Sequence, residues 1–175
     1  LSQHLVTPDS PTNNFCMWDR QNLSTGTLSN NNLTLSGGGN YTGCVGNIAV
    51  PPKGHWYMEI RCNDTTADMM WGGAPVNNFE VIALQGQGQW NSCPYGVISY
   101  SYGGGVVDAY FKDGDGNNYH NESTSTPATT SGDVLGYGFD FDNGVVNISK
   151  NGTHLMSAKG WVPSDDHFLF GYQVH

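Results

Sequence analysis

From Leu135 to Phe141 the chain alternates: Leu135, Tyr137, Phe139 and Phe141 are apolar and the residues between them are small or polar. Asn143-Gly144 interrupts the run, and Val146 and Ile148 then resume it. A period of two sends every second side chain to the same face of a strand, so one face is buried and the other is wet. Asn and Gly tolerate the positive φ of a tight type I′ turn, so this sequence predicts a β-hairpin turning at Asn143-Gly144. Asn151-Gly152 repeats the device, and Phe168, Phe170, Tyr172 and Val174 alternate in a last strand. Such a chain must bury its apolar sheet face against a second layer.

The earlier strands follow the same rule. In His55 to Cys62, Trp56, Met58, Ile60 and Cys62 are predicted to face the core, and His55, Tyr57, Glu59 and Arg61 to face water. Further strands are expected at Leu33–Leu35, Glu80–Leu84, Tyr95–Tyr102 and Val106–Phe111, with Gly37-Gly38-Gly39 and Gly103-Gly104-Gly105 as breaks. No segment shows helical periodicity, and no internal repeat occurs. Strands at this spacing predict an all-β sandwich or barrel. The 175 residues suffice for one domain with its own core. Residues 1–22 are polar and irregular, and the cluster Phe15-Cys16-Met17-Trp18 is suited to docking on the sandwich. The stretch Lys112–Gly132 reads as a long polar loop, of the kind that is usually functional or mobile.

Charge narrows the partners. Six Lys and Arg against fifteen Asp and Glu leave a formal charge of −9. The cations are scattered, so no basic patch exists to attract a phosphate backbone or an anionic bilayer. Nucleic acid and membrane are therefore not expected partners, and no apolar run is long enough to span a bilayer. The four cysteines, Cys16, Cys44, Cys62 and Cys93, form no C-x-x-C pair and do not resemble a disulfide framework. Cys62 is expected to be a buried apolar filler. Seven N-x-Ser/Thr sequons, among them Asn22, Asn32, Asn63 and Asn151, follow from an Asn-, Ser- and Thr-rich composition. The chain opens on Leu1 rather than Met, with no signal peptide visible, and reads as a fragment or processed product.

Five short motifs occur in order. They are Gly54-His55-Trp56-Tyr57-Met58-Glu59-Ile60, Tyr95-Gly96-Val97-Ile98-Ser99-Tyr100-Ser101-Tyr102, Gly132-Asp133-Val134-Leu135-Gly136, Phe139-Asp140-Phe141-Asp142 and Ile148-Ser149-Lys150-Asn151-Gly152. Their order and spacing resemble the SPRY (B30.2/SPRY-like) domains. The resemblance covers about residues 45–175, with residues 1–44 as an N-terminal extension packing on the domain. It departs where Ile148 replaces a common aromatic and Ser101 a Gly. It implies a two-sheet antiparallel β-sandwich of the concanavalin-like jelly-roll type, with edge loops that bind partners. The opening Thr7 to Phe15 also resembles a segment that precedes SPRY domains in some bacteriophage structural proteins.

Catalytic and metal signatures are sparse. Asp113-Gly114-Asp115-Gly116-Asn117 starts like a calcium loop, but Asn118 stands where Gly is needed and Thr124 where Glu is needed. It reads as a turn-rich loop and a weak calcium candidate through Asp113, Asp115 and Asn117. No other cofactor is implied. The six histidines show no ligand spacing and read as surface or packing residues. No helix follows the Gly-rich turns, so no phosphate cradle forms, and no G-x-S-x-G elbow is present. Asp140 and Asp142 share a strand face beside a hairpin, and the family pattern implies a structural role. A polysaccharide hydrolase would need a carboxylate pair roughly 5–9 Å apart in a groove; the expectation is a non-enzyme.

Aromatics in polar stretches are the better clue, since a held ring offers large contact area at low entropy cost. Trp71, Trp90 and Tyr119 lie in such stretches. The expected partner surface is three edge loops, carrying Asp64, Thr65, Asp68 and Trp71, then Gln87, Trp90 and Asn91, then Asp113, Tyr119 and Glu122. The leading expectation is a binding or structural domain of a phage virion surface, a fibre, decoration or accessory module. It would contact host-surface glycans or neighbouring virion proteins as part of a larger polypeptide or oligomeric particle. The rival is a cytoplasmic adaptor gripping a short peptide of another protein.

Overall fold

The computed structural model describes residues 15–37, 42–64, 69–76, 95–102, 106–115, 118–120, 129–161, 163 and 166–173. Among the described residues a 3-10 turn, Arg20–Asn22, precedes twelve strands. These are β1 (Thr27–Ser29), β2 (Thr34–Ser36), β3 (Thr42–Val50), β4 (His55–Arg61), β5 (Met69–Pro75), β6 (Val97–Tyr102), β7 (Val106–Lys112), β8 (Asn118–His120), β9 (Val134–Asp140), β10 (Val145–Lys150), β11 (Thr153–Lys159) and β12 (His167–Gln173). Two large antiparallel sheets form, one of six strands ordered β3-β12-β5-β6-β7-β8 and one of four ordered β11-β10-β9-β4. β1 and β2 pair by themselves as a hairpin.

The core is built by the alternation legible in the sequence. Leu135, Tyr137 and Phe139 of β9 and Val146 and Ile148 of β10 are buried, together with Ile60 and Cys62 from the β4 side. From the six-stranded sheet, Trp71, Val97 and Phe111 enter the same cluster. One end is filled by aromatics: Phe139 and Phe141 stack at 5.5 Å, and Trp161 meets His167 edge-on at 5.0 Å. His167 is fully buried there, with Nε2 3.1 Å from the Tyr95 carbonyl, and is a packing histidine as expected.

Two turns separate what the sequence treated as one device. Asn151 and Gly152 take φ of 49° and 76°, and Lys150 pairs directly with Thr153, so these residues form the two-residue turn with positive φ. At the first hairpin Asp140 pairs with Val145, leaving the four residues Phe141 to Gly144 as the loop, with positive φ only at Gly144. The type I′ expectation fails at Asn143-Gly144 because neighbouring side chains claim the loop. Phe141 is buried in the aromatic cluster, and the Asp140 carboxylate accepts from Asn143 N at 3.0 Å.

Several strands lacked a sequence signal. β5 carries Met69-Met70-Trp71-Gly72-Gly73-Ala74-Pro75 and was not expected. Met70, Trp71 and Ala74 are all buried, so both faces are covered and no polar alternation develops. The Lys112–Gly132 stretch contains β8, so it is not one continuous loop. Trp56, expected inward, is 40% exposed, because its indole N–H donates to the Lys53 carbonyl at 2.8 Å and holds the ring at the rim. The expected strand Glu80–Leu84 lies outside the described residues.

The N-terminal residues line the outer edge of β3. Asp19 N donates to Val45 O at 2.8 Å and Asn47 N to Met17 O at 2.8 Å, while Trp18 bridges to Gly46. This pairing covers strand groups that would otherwise present an open edge.

Candidate functional site

Strand directions place the expected partner loops. β3, β5 and β7 run one way in the six-stranded sheet, and residues 51–54 carry the end of β3 into the start of β4. The end of β7, with Asp113, therefore lies on the side where β4 begins. Asp64 follows the end of β4 and lies at the opposite end of the sandwich. The loops that begin at Asp64 and at Asp113, expected to form one surface, thus start at opposite poles.

Asp64 is exposed, and its carbonyl accepts from Cys62 Sγ at 3.1 Å. Trp71 is a correction: it sits in the middle of β5, is 3% exposed and belongs to the core, where no partner reaches it. Tyr119 is also corrected, since it lies on the edge strand β8 rather than in a loop. Thr65, Asp68, Gln87, Trp90, Asn91, Asn117 and Glu122 lie outside the described residues. Asp113 Oδ1 accepts from Asp115 N at 2.9 Å, and the Asp113 carbonyl accepts from Tyr95 N at 3.0 Å. The start of the candidate calcium loop is thus a local side-chain-closed turn. Among the described residues no group of three or more His, Cys, Asp or Glu is placed to hold a metal ion. Among them, too, no helix is long and apolar enough to cross a membrane.

The acidic residues singled out by the sequence are occupied in turns. Asp140 receives Asn143 N and Asn143 Nδ2, the latter at 2.8 Å, and its Oδ1 lies 3.1 Å from His55 Nε2. The Asn143 bonds, followed by the His55 pairing, hold its carboxyl below the ordinary range. Asp142 Oδ1 accepts from Gly54 N at 2.8 Å and closes the β3–β4 connection against the β9–β10 turn. Both carboxylates therefore serve chain geometry, as the motif resemblance implied.

Asp133 is the most heavily solicited carboxylate. Thr130 N donates to it at 2.7 Å, Asn151 Nδ2 donates at 2.7 Å, and Lys150 Nζ stands 3.3 Å away. These donors, the Thr130 backbone first, pull its pKa down to about 2. Val134 and Asn151 complete the joint, with Val134 N donating to Asn151 Oδ1 at 2.9 Å and Asn151 N to Val134 O at 2.8 Å. Two of the sequence motifs thus lock each other.

The cysteines carry no disulfide among the described residues, where Cys16, Cys44 and Cys62 are free thiols. Burial pushes Cys44 up to about 11 and raises Cys16 and Cys62 as well, which suits packing rather than nucleophilic chemistry.

One exposed feature escaped the sequence reading, which looked for aromatics in loops. Tyr57 lies on β4 and is 57% exposed on the outer face of the four-stranded sheet. It pairs with Gly138, and its hydroxyl donates to Glu59 Oε1 at 2.8 Å. Desolvation against the sheet, then the Glu59 hydrogen bond, raises the pKa of that hydroxyl. The available signal was the pair Gly136 and Gly138 at alternate positions of a strand, which leaves room for a neighbouring ring.

Two packed antiparallel sheets, with turns and loops at the strand ends, define the class: an all-β sandwich domain. No family model matches the chain, and no curated protein matches it. Solved structures do. A human SPRY domain aligns with TM-score 0.52 and 15% identity over 80% of this chain and 82% of that one. The SPRY domain of human HERC1 aligns with TM-score 0.54 and 12% identity over 89% of each chain. The PSpry domain of TRIM65 aligns with TM-score 0.51 and 11% identity over 91% of this chain and 92% of that one. The chain has a SPRY-like fold, as the motifs implied.

Proposed function

We propose that this chain is a non-catalytic binding domain displayed on the surface of a virus particle, as a phage fibre, decoration or accessory module. Its partner is a host-surface glycan or a neighbouring virion protein, met at the strand ends. The observation that carries the binding reading is the SPRY-like sandwich whose Asp133, Asp140 and Asp142 are spent on turns. A formal charge of −9 with six Lys and Arg favours exposure to solvent and disfavours nucleic acid. The resemblance of residues 7–15 to the segment before phage SPRY domains supports the particle.

The test is binding of the whole chain to a broad glycan array and to disrupted particles, with and without calcium. Selective binding lost in Trp90→Ala supports the loop that carries it as the contact, and loss in Tyr119→Ala supports the edge strand β8. Dependence on calcium assigns a metal to the turn after β7. A blank result on both sinks the virion reading.

The free thiols of Cys16, Cys44 and Cys62 favour a second reading, a cytoplasmic adaptor that holds a short peptide, because thiols persist in a reducing compartment. A peptide array separates the two, and so does the neighbouring sequence of the full-length protein. Fibre or capsid segments fit the first reading, and RING, SOCS-box or LisH segments the second.

A further inference from the structure

The outer face of the four-stranded sheet carries a constellation that the turns and core do not require. Tyr57 is laid along β9. A Cβ on Gly138 would stand 4.0 Å from Tyr57 Cδ2, and a Cβ on Gly136 would strike the Tyr57 hydroxyl. The ring therefore runs from Gly138 towards Gly136 over bare backbone. Its hydroxyl is tethered to Glu59 at 2.8 Å, yet the residue stays 57% exposed. A ring held in this way loses little conformational entropy when something stacks on its open side.

Across Gly138 from Tyr57 stands Asn147 of β10, whose register partners are Gly138 and Ser157. Ser157 Oγ donates to Asn147 Oδ1 at 2.6 Å. The amide is thereby oriented with Nδ2 on the β9 side, 3.9 Å from where a Gly138 Cβ would be. The Ser157 proton being committed, His154 Nε2 donates to Ser157 Oγ at 2.7 Å. A relay from His154 through Ser157 thus fixes an amide donor beside an open aromatic edge, with the Glu59 carboxylate at the other end of the ring. Asn147, Ser157 and His154 lie outside the five sequence motifs, whereas Tyr57 and Glu59 belong to the first of them.

We infer that this face binds a neutral hexopyranose. The apolar C–H face of the sugar stacks on the free side of Tyr57, while its hydroxyls accept from Asn147 Nδ2 and donate to the Glu59 carboxylate. Glu59, the carboxylate bonded to the ring hydroxyl, disfavours a sialylated or sulfated sugar at this contact, although Arg61 and Lys159 share the outer face. The inference deepens the glycan form of the proposed function and rests on it for its biological setting, but it assigns the contact to a sheet face rather than to the loops.

The whole chain and the variants Tyr57→Ala, Tyr57→Phe and Asn147→Ala are applied to an array of neutral, sialylated and sulfated glycans, with thermal melting as the control for folding. Neutral hexose-terminated glycans are expected to bind. Tyr57→Ala should weaken them by about tenfold or more, Asn147→Ala by several-fold, and Tyr57→Phe by less than about threefold, since the stacking ring remains. Nuclear magnetic resonance of the wild type with methyl glucoside, galactoside and mannoside should shift the Tyr57 ring signals. Binding that survives Tyr57→Ala and disappears in Trp90→Ala overturns the sheet-face site while leaving the glycan reading intact. Preference for anionic glycans overturns the inference on charge. No glycan binding and no Tyr57 shift at millimolar sugar overturns both the inference and the glycan reading.

Discussion

Tyr137 Oη donates to Ser99 Oγ at 3.0 Å, and neither residue is reached by solvent. Tyr137 belongs to the four-stranded sheet and Ser99 to the six-stranded one, so the bond crosses the core and ties the layers together. Burial drives the phenol pKa far above its ordinary value. Tyr137→Phe leaves the Ser99 hydroxyl buried and unpaired, at a cost of about 1–2 kcal/mol. For a chain of this size that lowers Tm by roughly 2–8 °C. Tyr137→Phe with Ser99→Ala removes both polar groups and should recover part of the loss. A double variant as unstable as the sum of the single ones would show that the bond is not the source.

Asp133 sets an acid limit. Its pKa is depressed in the folded chain from 3.8 to about 2, so the carboxylate stabilises the fold above the unfolded value, and that contribution is lost as pH falls towards 2. Asp133→Asn should therefore lower Tm at pH 7, by an amount reflecting about 1–2 kcal/mol of charge-assisted hydrogen bonding. The gap between wild type and variant should hold down to about pH 5 and close towards pH 2. Melting curves across that range check it, and a gap independent of pH would sink the assignment.

Trp71 tests the corrected site. It is a core residue on a central strand, flanked by β12 and β6, and Gly73, two residues on, lies against Phe139 with only 3.0 Å available to a Cβ. Trp71→Ala should cost about 3–5 kcal/mol. A urea titration reads that loss. Unchanged stability with lost partner binding would return Trp71 to the contact surface.

The fold was legible where one face is dry and the other wet. β9 and β10 alternate for that reason, and their buried sets match the sequence reading from Leu135 to Ile148, whereas in β4 Ile60 turns inward as expected and Trp56 stays at the rim. β5 was silent because both faces are covered, and β3 because Gly43 and Gly46 dilute its pattern. The motifs revealed the fold and little of the site, and Asp133 shows why: the Gly132–Gly136 and Ile148–Gly152 motifs meet at its carboxylate, so the shared residues encode how chain segments join. Ligand contacts are made by whatever side chains stand on the finished surface, and no local spacing marks them. Tyr57 and Asn147 lie 90 positions apart in sequence and on opposite sides of Gly138 in space.

Gly136 is the joint between fold and face. A side chain there would run into the Tyr57 hydroxyl and come within 2.6 Å of Ser149 Oγ. Gly136→Ala forces the ring to lift or the strand to shift, costing about 1–3 kcal/mol. If Tyr57 is the obstruction, Tyr57→Ala relieves much of the cost. The double variant should then be more stable than the two single effects added together, by about 0.5–2 kcal/mol of coupling. Strict additivity would place the conflict at Ser149, and Gly136→Ala with Ser149→Ala distinguishes that case. Where Tyr57 is the obstruction, the single Gly136→Ala variant also changes the seating of its ring, so the near-ultraviolet circular dichroism should change at temperatures where the chain remains folded.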